Sequence, residues 1–204
     1  MDQLDLIANM DETPICYENI YSTTITTFGT QIVSVINFNK DKLHITVILC
    51  IISDRTKLPP LIIFKGETNK TKEKKLQNNE YLKKCFCFVK CQPNSWADNN
   101  LFIYWLNNIW FNNSILNRRI KNTLLIIDRA TTHFCNYLNS LFKKYDSHYL
   151  LIPRRLTRYL QPLDVAINKS FKQAMKKSDC EFRINYENKI CPNDDEIIKH
   201  VVLN

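Results

Sequence analysis

Thr123-Leu124-Leu125-Ile126-Ile127-Asp128 is a run of strand length, apolar through its middle, that ends on a carboxylate. A charged group at the end of such a buried-looking strand is costly near a core unless something there uses it. Working downstream, 134–145 reads as a helix with Leu138, Leu141 and Phe142 turned inward. Residues 148–152 read as a second strand and 164–177 as a second helix. Upstream, short segments rich in Ile, Val, Leu, Phe and Thr predict strands at about 5–11, 31–38, 43–52, 60–64 and 85–90. The polar stretch 66–80 reads as a surface connection. A helix is expected from an Asp98 N-cap, because Leu101, Phe102, Trp105, Leu106 and Ile109 recur at helical spacing. Strands that can pair antiparallel, followed by strand, helix, strand, helix, predict an α/β fold in which a mixed sheet is flanked by helices.

The 204 residues are 45% hydrophobic, enough for one sizeable core. With only 2 Gly, neither a P-loop nor a dinucleotide fingerprint can be written, so phosphate must be held in some other way. The net charge of +8 is concentrated: residues 118–177 hold 13 Lys or Arg against Asp128, Asp146 and Asp164, while the tail from 178 is acidic. Such a surface suits a polyanion, because every phosphate neutralised releases counterions, although an ordinary solvated basic face reads the same way.

The 8 Cys show no regular framework, and the N-terminus has neither a basic stretch nor a long apolar run. A secreted disulfide scaffold and a membrane span are therefore not expected. Cys85, Cys87 and Cys91 lack the paired spacing of a zinc site and read as strand and loop thiols. Trp96, Trp105 and Trp110 are expected to pack the helix rather than to stack on bases.

Two further aspartates share the setting of Asp128. Asp11 lies in Asn9-Met10-Asp11-Glu12-Thr13-Pro14 at the end of a predicted strand, and Asp164 in Leu160-Gln161-Pro162-Leu163-Asp164-Val165 opens a helix. Each alone could be a turn or capping residue. Together they suit a divalent cation, which prefers hard oxygen ligands and keeps several waters. Glu12 should point to the opposite face of its strand from Asp11 and is not expected to be a ligand.

The phrases around these acids carry a resemblance. Asn9-Met10-Asp11-Glu12-Thr13-Pro14, Thr56-Lys57-Leu58-Pro59-Pro60-Leu61-Ile62-Ile63-Phe64-Lys65-Gly66 and Leu125-Ile126-Ile127-Asp128 with His133 resemble, in order, segments of pogo/Tigger/jerky-type transposases. So do Leu160-Gln161-Pro162-Leu163-Asp164-Val165 and Ile167-Asn168-Lys169-Ser170-Phe171-Lys172. That group lies within the DDE superfamily of endonucleases, and the 35 residues between Asp128 and Asp164 suit its spacing. Arg129 and Arg155 depart from its pattern, standing where the group usually has a small or amide residue and a glycine.

The resemblance implies a ribonuclease H-like catalytic domain over 1–178, with 179–204 a polar, acidic tail or truncated continuation. It implies Asp11, Asp128 and Asp164 as catalytic metal ligands for Mg2+ or Mn2+, with two ions expected. His133 would stand near the scissile phosphate, or be a helix-start histidine satisfied locally. Arg154, Arg155 and Arg158, with Lys169, Lys172 and Lys176 at helical spacing, would follow the DNA backbone. The implied function is DNA cleavage and strand transfer in the nucleus, with DNA as partner, a homodimer as the candidate assembly and no membrane. The alternative is a catalytically inactive, domesticated DNA-binding or chromatin protein, or a truncated transposon relic. Proteins of this group carry a helix-turn-helix module before the catalytic domain, and only ten residues precede Asp11, so that module is expected to be absent from this chain.

Overall fold

The computed structural model describes residues 4–16, 44–66, 70–112, 122–128, 135–153 and 155–185. The strand expected at 31–38 lies outside them. Six strands form one mixed sheet: β1 (Leu6–Cys16), β2 (His44–Ile52), β3 (Leu61–Lys65), β4 (Phe88–Gln92), β5 (Thr123–Asp128) and β6 (Ser147–Ile152), in the order β4-β3-β2-β1-β5-β6. β1 and β2, and β2 and β3, pair antiparallel, whereas β1–β5, β5–β6 and β3–β4 are parallel. This is the ribonuclease H-like arrangement, a mixed sheet with helices on its faces.

The pleat divides β1 in two. Leu6, Ala8 and Met10 enter the main core, beneath α3 (Asn99–Trp105) and α4 (Cys135–Lys144). Asn9, Asp11 and Thr13, one residue out of phase, are buried on the other side. Among the described residues the pairing of β1 with β5 runs from Leu6 to Asn9, and beyond Asn9 the strand pairs with β2 alone. Pro14, which has no N–H to give to a ladder, occurs in that stretch.

Asp98 caps α3 as expected, its Oδ1 accepting the Leu101 N–H at 2.8 Å. The helix then widens into a π turn over Leu106–Trp110, closed by the Phe111 N–H on the Leu106 carbonyl at 2.8 Å. The extra residue per turn brings Ile109 and Trp110 inside together. Phe102, Trp105 and Trp110 stack in sequence with centroids 6.3 and 6.5 Å apart.

The polar stretch 66–80 departs from expectation, since it contains α1 (Lys70–Gln77) and leads into α2 (Glu80–Lys84). Lys, Glu, Leu and Gln are good helix formers, and two leucines suffice to dock such a segment. Leu76 and Leu82 are buried in a second core with Ile45, Val47, Ile62 and Phe64. Glu73, itself buried, accepts the Cys91 backbone N–H at 3.1 Å and pairs with Lys90 Nζ at 3.2 Å, which satisfies a donor of the edge strand β4. The two helices also delay β4, which starts at Phe88 rather than 85. Downstream, the short α5 (Thr157–Leu160) leads to a π turn over Leu163–Ile167. That turn runs into α6 (Asn168–Asn185), which continues past the expected end at 177.

Candidate active site

Asn9 ties together the three elements that carry the aspartates. Its side-chain N–H donates to the Ile126 carbonyl of β5 at 3.1 Å, and its Oδ1 accepts the Leu163 N–H, at the start of the π turn, at 2.9 Å. Gln161 adds a second tie, with Nε2 donating to the Met10 carbonyl at 3.3 Å. Leu163, buried beside these bonds, supplies the apolar contact. The π turn closes with the Asn168 N–H on the Leu163 carbonyl. Asp164 and Asn168, four positions apart, face the same way.

The Asn168 amide meets both ends of the site. Its Nδ2 donates to Asp11 Oδ2, and to Asp164 Oδ1 at 3.0 Å, so one NH2 group bridges carboxylates from β1 and the helix start. Burial pushes the Asp11 carboxyl up to about 7, with the charge of Asp164 adding to the effect and the Asn168 and Glu12 hydrogen bonds partly offsetting it. Glu12 is also raised to about 7, first by burial, then by the charge of Asp128 and then by that of Asp11. A cavity of about 310 Å³ opens here, lined by Asp11, Glu12 and Asp128 with Trp96, Asp98 and Phe102.

The acids are thus linked in a chain, Asp164 to Asp11, Asp11 to Glu12 and Glu12 to Asp128. Among the described residues no three Asp, Glu, His or Cys side chains are grouped to hold a metal ion. Glu12, not expected to be a ligand, lines the cavity together with Asp11 and Asp128.

His133 and Arg154 lie outside the described residues. Arg155, Arg158, Lys169 and Lys176 are exposed and Lys172 is half-buried. The Arg158 guanidinium lies 4.7 Å over the Tyr159 ring. Arg155 has φ 71°, the left-handed region that glycine adopts without a Cβ penalty. This fits the turn where the resemblance places a glycine. Trp105 and Trp110 pack the core as expected, but Trp96 is 49% exposed and lines the cavity, leaning on His44 at 4.9 Å. The end of a turn leaves it no helix face to pack. Cys91 is in the second core, and the Cys87 thiol donates to the Leu82 carbonyl at 3.5 Å.

Sequence reading assigns no role to Asn9, Gln161 and Asn168, and it sets Glu12 aside as a ligand. For two of them a signal exists: Asn9 is two residues from Asp11 on one strand face, and Asn168 four from Asp164 on one helix face. Gln161 and Glu12 owe their positions to elements that are distant along the chain.

The family model described as DDE superfamily endonuclease matches residues 42–200. Pogo transposable element with KRAB domain is 28% identical to the chain over 170 residues in both its Mus musculus and Homo sapiens forms. That alignment takes in 83% of this chain and 26% of theirs, so the chain spans about a quarter of the length of these relatives. Among solved structures, the Mos1 transposase paired-end complex with left transposon end is similar at a TM-score of 0.47 and 13% identity, covering 97% of this chain and 51% of that one. A pre-cleavage Mos1 transpososome is similar at a TM-score of 0.48 and 13% identity, covering 97% and 52%.

Proposed function

The chain belongs to the DDE superfamily of endonucleases, and from that premise we propose that it is the catalytic domain of a pogo-type transposase, cutting and joining DNA strands with divalent metal. The observation that carries the reading is the meeting of Asp11 with Asp164 through Asn168, from segments at opposite ends of the described chain, beside a cavity that Asp128 also lines.

The residues suit Mg2+ or Mn2+. All the donors are hard oxygens, two carboxylates face one another, and the Asn168 Oδ1 beside them is buried without a partner. Asp11, Asp128 and Asp164 are the residues that would hold the ions. Two such ions, when bound, activate a water or 3′-hydroxyl and stabilise the leaving oxygen of an in-line displacement at phosphorus. Asn9 and Gln161 keep the acid-bearing elements in register. Arg154, Arg155, Arg158, Lys169, Lys172 and Lys176 would follow the DNA backbone, and action on DNA would place the protein in the nucleus.

The test is nicking of supercoiled DNA by the folded chain with Mg2+ or Mn2+. Wild type should nick. Asp11→Asn, Asp128→Asn and Asp164→Asn should each lose cleavage while still binding DNA, because the basic residues that make those contacts are untouched. A folded wild-type chain that binds DNA but leaves it intact with either metal would instead favour the domesticated, non-catalytic reading.

A further inference from the structure

We propose that Asn168 is itself a residue of the metal site, and that its side-chain amide presents NH2 to the aspartates in the metal-free protein and its carbonyl oxygen to a bound divalent cation. The inference rests on the metal-site reading above and names a ligand beyond the three aspartates.

Asn168 is 5% exposed and its polar atoms are unequally served. Nδ2 donates to Asp11 Oδ2 and Asp164 Oδ1, whereas Oδ1 has no partner. A buried amide oxygen left without a partner is costly, so the arrangement needs a reason. Nδ2 reaches one oxygen of each carboxyl, and those oxygens accept, so with no cation between them the amide offers its NH2. A cation in the same place reverses that preference, because it repels N–H dipoles and attracts a carbonyl. The two ends of an amide are nearly the same size, and a half-turn about the terminal side-chain torsion exchanges them with little other movement. Asparagine carbonyls are established oxygen ligands for hard divalent ions. Asn168 would then add an oxygen donor to the aspartates, since among the described residues no three Asp, Glu, His or Cys side chains are grouped to hold an ion.

The experiment uses the full chain and Mn2+ alone, titrated by calorimetry, with Asp11→Asn identifying the site by its loss. Asn168→Leu should bind Mn2+ at least tenfold more weakly, at the lower end of what loss of a site residue does to metal affinity. Asn168→Asp should keep or exceed wild-type affinity, because it offers oxygen whichever way it turns. An amide that merely clips the two aspartates together would be missed equally in both variants. Less than a tenfold loss in Asn168→Leu, or an equal loss in Asn168→Asp, overturns the inference and leaves the metal site standing. Failure of wild type to bind Mn2+ removes the metal site and this inference with it.

Should Asn168→Leu not fold, the uniformly 15N-labelled wild-type protein decides the matter. Diamagnetic Mg2+ should shift the Asn168 side-chain NH2 resonances as their two acceptors are lost. Unmoved Asn168 resonances, while the Asp11 and Asp164 backbone signals respond to Mg2+, overturn the inference.

Discussion

The side-chain oxygen of Asn9 accepts the backbone N–H of Leu163 at 2.9 Å, joining residues 154 positions apart in the chain. The same amide holds the Ile126 carbonyl, so one side chain fixes the spacing of the strand before Asp128 and the turn before Asp164.

Asn9→Leu keeps the volume and removes both bonds. It leaves a buried N–H and a buried carbonyl unpaired, so it should destabilise the chain by roughly 2–4 kcal/mol in urea unfolding. Mn2+ affinity should fall with it, since the acid-bearing elements lose their common tie. A loss below about 1 kcal/mol would mean that Gln161 and the Leu163 contact hold the register unaided.

Asp11 and Glu12 set a pH dependence for the metal-free protein. Both carboxyls are raised to about 7 in the fold, so from the ordinary carboxylate range up to that value the folded state carries more protons than the unfolded state. Stability contributed by these groups is therefore present at low pH and lost as pH rises through about 7. The melting temperature without metal should be higher near about pH 5 than near about pH 8, and Asp11→Asn should flatten the fall. A profile that rises over this window would contradict the assignment.

Arg155 carries a Cβ at φ 71°. Arg155→Gly should stabilise the chain by about 0.5–1 kcal/mol, the relief of the left-handed backbone less the added freedom of the unfolded chain. Arg155→Ala removes the charge but keeps the Cβ, and should not gain. Equal stability for all three forms, read from thermal unfolding, would show that the turn adapts to its side chain.

The lysines of α6 are testable by salt. Replacing Lys169, Lys172 and Lys176 with Gln should lower nonspecific duplex affinity and reduce the slope of log affinity against log salt by about 2–3, each phosphate contact contributing about 0.9. Lys172, being half-buried, should contribute least of the three. An unchanged slope would make these lysines a solvated face.

The sequence by itself determined the frame. Short runs rich in Ile, Val and Leu placed β2 and β5, the Asp98 cap and its apolar stripe placed α3, and the phrases around Asp11, Asp128 and Asp164 marked the acids, because each of these signals is local to its own element. Tertiary structure decided what stands beside what. Lys70–Gln77 became a helix because Leu76 found the second core and Glu73 an edge-strand N–H, and neither partner can be read from a polar segment. Glu12 joined the cavity because Asp128 arrives there from another strand. Asn168 became the bridge between two aspartates because a π turn carried it onto Asp11, 157 positions away. Residue type and period fix which face a side chain takes, whereas its neighbour across the sheet depends on contacts made only once the chain has closed.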